Sequence, residues 1–400
     1  MALLLLFLSL HLWHLYRDYR DFVSQSVRDV DATVLRQYEK TGPKGTYTVL
    51  LLGSGALRFY TTSKEPLRML TGRSVSLSIL TAKITFAEFL GSFYAPGFDL
   101  ALLPGETNPG DIPRQAVAAQ HEGTLTQELY GALFFAAPVG RELREGVTHL
   151  GIAHLIALSG FHLGLLGAMI MGMLSGPYRF LQQRFFPFRN RLFDLGLVSA
   201  LLLLAYLLFV NAPPSLVRAY GMLAVGFFLL WRHIRIVNFA ALFLTLFILI
   251  VIIPGLMLSI GFWFSAAGVF FIFLILRHLK LPPWGIVVAL HLLLFPLMLP
   301  VVHLVFEPFS PYQLLSIPLS LLFIPFYPLV MLLHLVGLGG LLDPWLTALF
   351  TLPIEPAPLT TPPWFAIVYA LTALTAIHFA LAFYLLIAMG VGLMLYALFF

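Results

Sequence analysis

The chain has 400 residues, of which 60% are hydrophobic and only 10% are charged, and its formal net charge is +5. A water-soluble protein of this size could not hide so much apolar surface, so the composition excludes a soluble enzyme or binding module and indicates a polytopic membrane protein. Cysteine is absent, which excludes disulfides and cysteine-ligated zinc. Residues 1–150 hold 14 of the 23 Lys and Arg, and none follows Lys280. A polar first third therefore precedes a membrane domain.

The chain begins with an apolar run over residues 2–16, which ends at Tyr16-Arg17. A cleaved signal peptide usually has a basic start and small residues before its cleavage site, and neither is visible. We therefore predict an uncleaved membrane anchor at residues 1–17, although this run is shorter than the roughly 20 residues that a span needs.

Residues 25–90 predict a small β domain, either a barrel or a sandwich. Short runs of β-branched or alternating apolar residues are separated there by glycine-containing turns. These runs are Val27–Arg36, Tyr47–Leu52, Leu57–Thr61 and Ser74–Ile84. Between residues 28 and 90, nine Lys and Arg stand against five Asp and Glu. That excess is compatible with nucleic-acid contact and equally with an ordinary solvated surface. Residues 91–149 are interpreted as a linker and an amphipathic approach to the membrane.

From residue 150 to 400, apolar runs alternate with polar breaks and predict a helical membrane domain. With the anchor we expect about nine to eleven membrane helices. Runs lie near residues 150–174, 194–211, 215–231, 236–253, 257–277, 284–305 and 312–336, with a short or re-entrant segment at 338–352 and one bent or two packed helices from Trp364. Alternate loops carry the Arg and Lys residues, so the positive-inside rule places those loops in the cytoplasm and residues 17–149 outside.

The segment His149–Leu166 places three histidines and a Ser-Gly pair in an apolar stretch, where polar groups usually mark a path or a site. His154 and Ser159 do not share one face of a straight helix, so a simple catalytic pair is disfavoured unless Ser159-Gly160 bends the helix. A purely structural role for these histidines is the simpler interpretation. Metal binding by His149, His154 and His162 is disfavoured because the segment offers no cysteine or carboxylate.

Two further segments carry polar or small residues at membrane depth. Pro213-Pro214 is suited to a helix start, and it places Arg218 in the first turn at the outer membrane edge, either snorkelling to the interface or facing a polyanion. Gly261, Ser265 and Gly268 recur at three- to four-residue spacing, which is typical of close helix packing.

These segments together resemble the ComEC family, the inner-membrane channel for DNA uptake in natural transformation. His154-Leu-Ile-Ala-Leu-Ser159-Gly160-Phe-His162-Leu is similar to that family's "HLLAISGLHV" motif. Pro214–Met222 and Pro254–Ala267 resemble its "Pro-Ser-x-x-Arg-Ala-x-x-Met" and "Pro…Gly-Phe-x-x-Ser" stretches, and Phe89–Leu100 resembles the linker after its OB-fold-like domain. Many members also carry a metallo-β-lactamase-like domain with an HxHxDH motif, which these 400 residues lack, so no nuclease role is carried over.

The resemblance implies an OB-fold-like β domain facing the periplasm or exterior, inserted after the anchor, and a channel for single-stranded DNA in the bacterial inner membrane. It implies no cofactor, metal or catalytic residue. The implied partners are a periplasmic or surface DNA receptor, a cytoplasmic motor or single-strand-binding proteins, and the lipid bilayer; a homo-oligomer, strand polarity and the energy source stay open. The channel-motif residues are His154, Ser159, Gly160, His162, Arg218, Gly261, Phe262 and Ser265. The DNA-contact candidates are Arg58, Lys64, Arg68, Arg73 and Lys83.

Two rival functions remain. An intramembrane hydrolase would use Ser159 with a histidine and would lose its activity in Ser159→Ala. A small-solute transporter would not need the β domain.

Overall fold

The computed structural model of the chain describes residues 2–42, 45–55, 57–64, 67, 70, 72–103, 111–210, 212–232, 238–353 and 355–399. These residues form two compact units. The first comprises residues 1–115 with 246–260, and the second comprises residues 116–245 with 261–400.

The first unit is a curved β-sheet with two helices packed on it. Its elements are α1 (Ala2–Val23), β1 (Val27–Gly42), β2 (Gly45–Ser54), β3 (Leu57–Ser63), β4 (Ser74–Leu80), α2 (Phe86–Leu90), β5 (Phe93–Tyr94) and β6 (Gly97–Leu102). The strand order is β5-β3-β2-β1-β4-β6. All neighbours are antiparallel except β3 and β5, which run parallel.

One face of this sheet forms the core because apolar side chains alternate along each strand. Leu50 and Leu52 on β2, Phe59 on β3 and Ile79 on β4 are completely buried. The sheet curls so tightly that a Cβ on Gly97 of β6 would lie within 2.8 Å of side chains on both β3 and β4. Only glycine allows the strands to approach so closely here.

All four strand runs of the β region form strands, but the sheet does not end at residue 90. Residues 93–102, assigned by the sequence to a linker, contribute β5 and β6. Likewise α1 continues to Val23, beyond the expected anchor boundary at residue 17. Its last turns are held by the β domain, because the Tyr19 hydroxyl donates to the Ile84 carbonyl at 2.9 Å and Phe22 enters the core.

The second unit is almost entirely helical. After α3 (Asp111–Ala118), its elements are α4 (Thr124–Phe135), α5 (Arg141–His149), α6 (Ala153–Ile156), α7 (Gly160–Phe185), α8 (Arg191–Phe209), α9 (Pro214–Trp231), α10 (Phe239–Ile252), α11 (Ile260–His278), α12 (Pro283–Val302), β7 (Pro308–Phe309), α13 (Ser316–Leu335), α14 (Asp343–Phe350), β8 (Ala357–Pro358), α15 (Pro363–Thr375) and α16 (Ala380–Phe399). α3 and α10 run across the boundary between the units.

Six helices among the described residues are long and apolar enough to cross a membrane: Gly160–Phe185, Arg191–Phe209, Ile260–His278, Pro283–Val302, Pro311–Leu335 and Ala380–Phe399. At most 28% of the apolar stretch in any of them is buried within the protein, so their apolar faces are available to lipid. The protein is therefore a polytopic membrane protein.

The sequence-based count of nine to eleven spans stays a prediction. Three shorter apolar helices, Ser215–Trp231, Phe239–Ile252 and Pro363–Thr375, have 10–17 residues and fall below the length that a straight span needs. α1 is not among the six. The stretch from Trp364 divides into two packed helices, α15 and α16, and the segment at 338–352 forms a 3-10 turn followed by the short α14.

Candidate functional site

The expected span at residues 150–174 is broken in two. α6 ends at Ile156, Ser159 is fully extended with φ −139° and ψ 178°, and α7 begins at Gly160. The break falls at the Ser159-Gly160 pair because Ser159 is the N-cap of α7. Serine is favoured at this position, since its short polar side chain can satisfy polar groups at the open end of the helix.

The break brings Ser159 and His162 together. The Ser159 backbone N–H donates to His162 Nδ1 at 3.3 Å, and the Ser159 hydroxyl lies 3.1 Å from the same nitrogen. His162 thus occupies the third helical position, where glutamate or glutamine completes a capping box. Because Nδ1 accepts a backbone N–H, it carries no proton of its own. The single N–H proton of the neutral ring therefore lies on Nε2.

His162 is fixed by aromatic packing rather than by a catalytic arrangement. Its ring is completely buried and meets Phe323 and Tyr327 of α13 edge to face, at centroid distances of 5.2 Å each. A serine hydrolase needs a histidine lone pair free for the hydroxyl and a third group that orients the ring. Here the backbone shares the lone pair. The geometry therefore fits a helix cap better than a nucleophile with its base.

His154 is placed differently from His162. Its side chain is exposed, and its Nε2 lies 3.3 Å from the Ser320 hydroxyl on α13. Ser320 donates its own hydrogen to the Ser316 carbonyl, so His154 acts as the donor to Ser320. His154 and Ser320 thus form a hydrogen-bonded pair beside the break in the helix.

Arg218 lies beside the same break. On α9, its neighbour Ala219 presents its Cβ to Gly160 at 3.5 Å from the position that a Cβ would take there. Among the described residues, Arg218 Nε is buried without a hydrogen-bond partner. A buried cationic donor in that state costs free energy, and an anionic ligand such as a phosphate would remove this cost.

The structure does not add Gly261, Phe262 and Ser265 to this group. Phe262 is completely buried, so its side chain packs within the protein and does not line an open path. The expected close packing along this stripe also fails at Gly268, where a Cβ would meet no atom within 4 Å. Small residues permit close approach but do not require it.

The four DNA-contact candidates that the structure describes do not form one patch. Lys64, Arg73 and Lys83 are exposed, but Arg73 and Lys83 flank opposite ends of β4. Arg58 lies on β3, where partial burial lowers the pKa of its guanidinium. Arg68 lies outside the described residues.

An aromatic and basic row, which the sequence did not predict, crosses the outer face of the sheet. Register pairs place Tyr94 beside Tyr60, Tyr60 beside Leu51, and Leu51 beside Arg36. These positions alternate with the buried core residues, so they face away from the core. Arg58 precedes Tyr60 by two residues on the same face, and the Arg36 guanidinium lies 5.4 Å from the centre of the Tyr38 ring. We call Arg36, Tyr38, Arg58, Tyr60 and Tyr94 the tyrosine–arginine face. The repeated Arg-x-Tyr spacing was its signal in the sequence.

The other end of this outer face has the opposite character. Asp29 and Asp31 of β1 pair with Ser78 and Ser76 of β4, and the Ser78 hydroxyl donates to Asp29 at 2.5 Å. Phosphates are therefore attracted to the arginine end of the sheet and repelled from the aspartate end.

A search of curated proteins finds no match to the chain. A family model described as "Competence protein" matches residues 138–399, which include α5 to α16 and every channel-motif residue named above. The match covers 262 of 400 residues, well over half of the chain. The chain therefore belongs to the competence protein family, as a member with the ComEC-type membrane domain.

Proposed function

We propose that this protein passes single-stranded DNA across the bacterial inner membrane during natural transformation. The family is one of DNA uptake, and the membrane helices supply a route. The observation that carries the proposal is the tyrosine–arginine face. Unpaired bases stack on aromatic rings while arginines contact the phosphates, and a duplex offers no such free base faces.

In this proposal the incoming DNA first contacts the β domain. Its strand order, with β1 between β2 and β4 and β3 paired in parallel with a later strand, supports an OB-fold-like barrel. OB-folds bind oligonucleotides on the face of their second and third strands, and here the third strand carries Arg58 and Tyr60. The domain would face the periplasm or exterior and receive DNA from a surface receptor.

The second contact is the broken helix beside Arg218. Within the membrane unit the DNA strand would pass His154, whose side chain is exposed, and Arg218, whose Nε lacks a hydrogen-bond partner among the described residues. Ser159, Gly160 and His162 cap the start of α7 and so keep it separate from α6. They perform no chemistry. A cytoplasmic motor, strand capture or a proton gradient would supply the energy.

We expect Arg218→Gln to lower DNA transport without lowering the amount of folded protein. One charge-assisted contact with a phosphate is worth about 1.5–3 kcal/mol, which corresponds to roughly 10- to 100-fold in rate. The measurement is uptake of labelled single-stranded DNA into vesicles that contain the purified protein. Arg232→Gln, at the opposite end of α9, is the matched control and should stay within about 2-fold. Equal transport by Arg218→Gln and wild type would overturn the role of Arg218, and a null strain that still imports DNA would overturn the function.

Substitutions of Ser159 separate the channel from the hydrolase. Asparagine caps a helix about as well as serine, whereas alanine costs about 1 kcal/mol of stability. We therefore expect Ser159→Asn to transport DNA at close to the wild-type rate and Ser159→Ala to be less stable. A hydrolase would lose its activity in both variants, since neither keeps a hydroxyl. Loss of transport in Ser159→Asn, with its thermal stability unchanged, would contradict the capping role.

A further inference from the structure

A second polar cluster lies inside the membrane unit, apart from the broken helix. His121, which follows α3, has its Nδ1 3.0 Å from both carboxylate oxygens of Asp343 at the start of α14. Its Nε2 lies 2.9 Å from His334 Nε2 near the end of α13. The Nδ1 of His334 lies 2.6 Å from the Val330 carbonyl oxygen. These groups form one continuous hydrogen-bonded chain from Asp343 through His121 and His334 to Val330.

This hydrogen-bonded chain from Asp343 to Val330 is shielded from water. The His121 side chain has no exposed surface and that of Asp343 is 19% exposed. Tyr130 of α4 stacks on the His121 ring at 4.5 Å with an angle of 14°, and it meets His334 edge-on. The Thr126 hydroxyl lies 3.1 Å from Asp343 Oδ2. A buried polar group without a hydrogen-bond partner costs free energy, so the protons of this chain are tightly constrained.

The number of protons in the hydrogen-bonded chain follows from which of its groups donate and which accept. The Val330 carbonyl only accepts, so His334 Nδ1 carries a hydrogen. Two imidazole nitrogens 2.9 Å apart need one hydrogen between them. The contact of His121 Nδ1 with the Asp343 carboxylate needs another. The hydrogen-bonded chain therefore needs three protons, whereas two neutral histidines and an ionised carboxylate supply only two.

We propose that His121, His334 and Asp343 form a buried proton-binding site. The third proton makes the cluster neutral overall and completes all of its hydrogen bonds. Loss of this proton leaves the cluster with a net negative charge. It also brings two lone pairs into contact, either those of His121 Nδ1 and the Asp343 carboxylate or those of the two imidazole Nε2 atoms. The bound proton thus holds together three segments that are distant in sequence: the turn after α3, the end of α13 and the start of α14.

The surroundings favour the proton on His121. The face of an aromatic ring attracts a cation, and Tyr130 presents its face to His121. Tyr130 does not supply the proton, because burial, together with the charge of Asp343, raises the pKa of its hydroxyl. Among the residues that the structure describes, the titratable groups in hydrogen-bond or ring contact with His121 are Asp343 from α14, His334 from α13 and Tyr130 from α4. The site would bind its proton whether or not the protein transports DNA.

The sign of the pH dependence follows from the proton count. The folded protein binds the third proton, while an unfolded chain releases protons from ordinary histidines near pH ~6.5. Above that pH the folded site holds one proton more than the unfolded chain, so its contribution to stability is lost as the pH rises through the point at which the folded site releases its proton. Below that pH the two unfolded histidines together hold one proton more than the folded site, so the contribution also falls as the pH drops.

Asp343→Asn tests this dependence. The asparagine amide can donate to His121 Nδ1, so a neutral His121 completes the chain without the third proton. We expect the melting temperature of the wild-type protein in detergent to fall by several degrees between pH 6 and pH 9, and that of Asp343→Asn to lose this fall. Asp194→Asn is the matched control, because Asp194 pairs with Arg189 and Tyr178 and with no histidine; it should keep the wild-type dependence. The same fall in all three proteins would overturn the proposal.

A measurement on the wild-type protein covers the case in which Asp343→Asn does not fold. Exchange of the imidazole C2 hydrogen, followed by mass spectrometry, reports the pH at which each histidine loses its proton. His303 is the internal control, because it is buried, contacts the Phe306 carbonyl at 2.9 Å, and burial lowers its pKa. We expect the exchange midpoint of His121 to lie above that of His303. A midpoint of His121 at or below that of His303 would overturn the site.

Discussion

The double variant Tyr60→Thr/Tyr94→Thr is expected to lose most of its affinity for single-stranded DNA. Each base stacked on an aromatic ring contributes about 1–3 kcal/mol, so removal of two rings costs about 2–6 kcal/mol, or at least ~30-fold in Kd. Tyr94 is 54% exposed, and threonine keeps the β-propensity of the strand. The loss should therefore come from binding and not from unfolding.

Phe98→Thr is the matched control for this double variant. Phe98 is also an exposed aromatic residue on the outer face of the sheet, but it pairs with Ser78, which pairs in turn with Asp29. Its affinity for DNA should change by less than ~3-fold. The measurement is fluorescence anisotropy at one fixed salt concentration, because affinities for nucleic acid depend steeply on salt. Equal losses in Phe98→Thr and the double variant would show that the tyrosine–arginine face is not the binding surface.

Gly390→Ala is expected to destabilise the membrane unit strongly. A Cβ at Gly390 of α16 would lie 2.9 Å from the Pro296 carbonyl carbon of α12 and still closer to its oxygen. A backbone carbonyl inside a helix cannot move aside as a flexible side chain can, so the two helices must separate. The separation loosens a core in which Leu297, Phe383 and Leu386 are completely buried. Overpacking of this kind costs about 3 kcal/mol.

The same helix supplies the control. A Cβ at Gly392 would meet no atom within 4 Å, so Gly392→Ala should leave the free energy of unfolding unchanged or raise it slightly, since alanine has the higher helix propensity. Thermal unfolding in detergent compares the two variants with the wild type. If Gly390→Ala melts at the wild-type temperature, α12 and α16 do not pack through this glycine.

The accuracy of the sequence predictions depended on how local each feature was. The break before α7 was predictable because Ser159 and Gly160 are adjacent and carry their own conformational preference. The first four strands were predictable because their apolar alternation is continuous. β5 and β6 were not, because β5 has two residues and the register of β6 slips near Asp99, whose φ is +54°.

Contacts between distant segments could not be predicted. His154 meets Ser320 across 166 positions and His121 meets Asp343 across 222, and no spacing rule joins residues so far apart. The role of Gly390 could not be predicted either. Gly392 is also a glycine of the same helix, and the two positions differ only in their neighbours in space, which are the Pro296 carbonyl at Gly390 and no atom within 4 Å at Gly392. The helix α4 was missed as a separate element because its 12 residues include Gln127 and Glu128 and are too few for a span.

The small ladder of β7 and β8 constrains the order in which the protein assembles during synthesis. Phe309 pairs with Ala357, and the Leu359 N–H donates to the Glu307 carbonyl at 2.8 Å. The strand β7 between α12 and α13 therefore lacks its partner strand until about 50 more residues leave the ribosome, which takes ~3–10 s at bacterial rates. During that interval α13 must insert into the membrane without the ladder. Closure of β7 on β8 is accordingly a late folding event, which fixes the end of α12 only after α14 is complete.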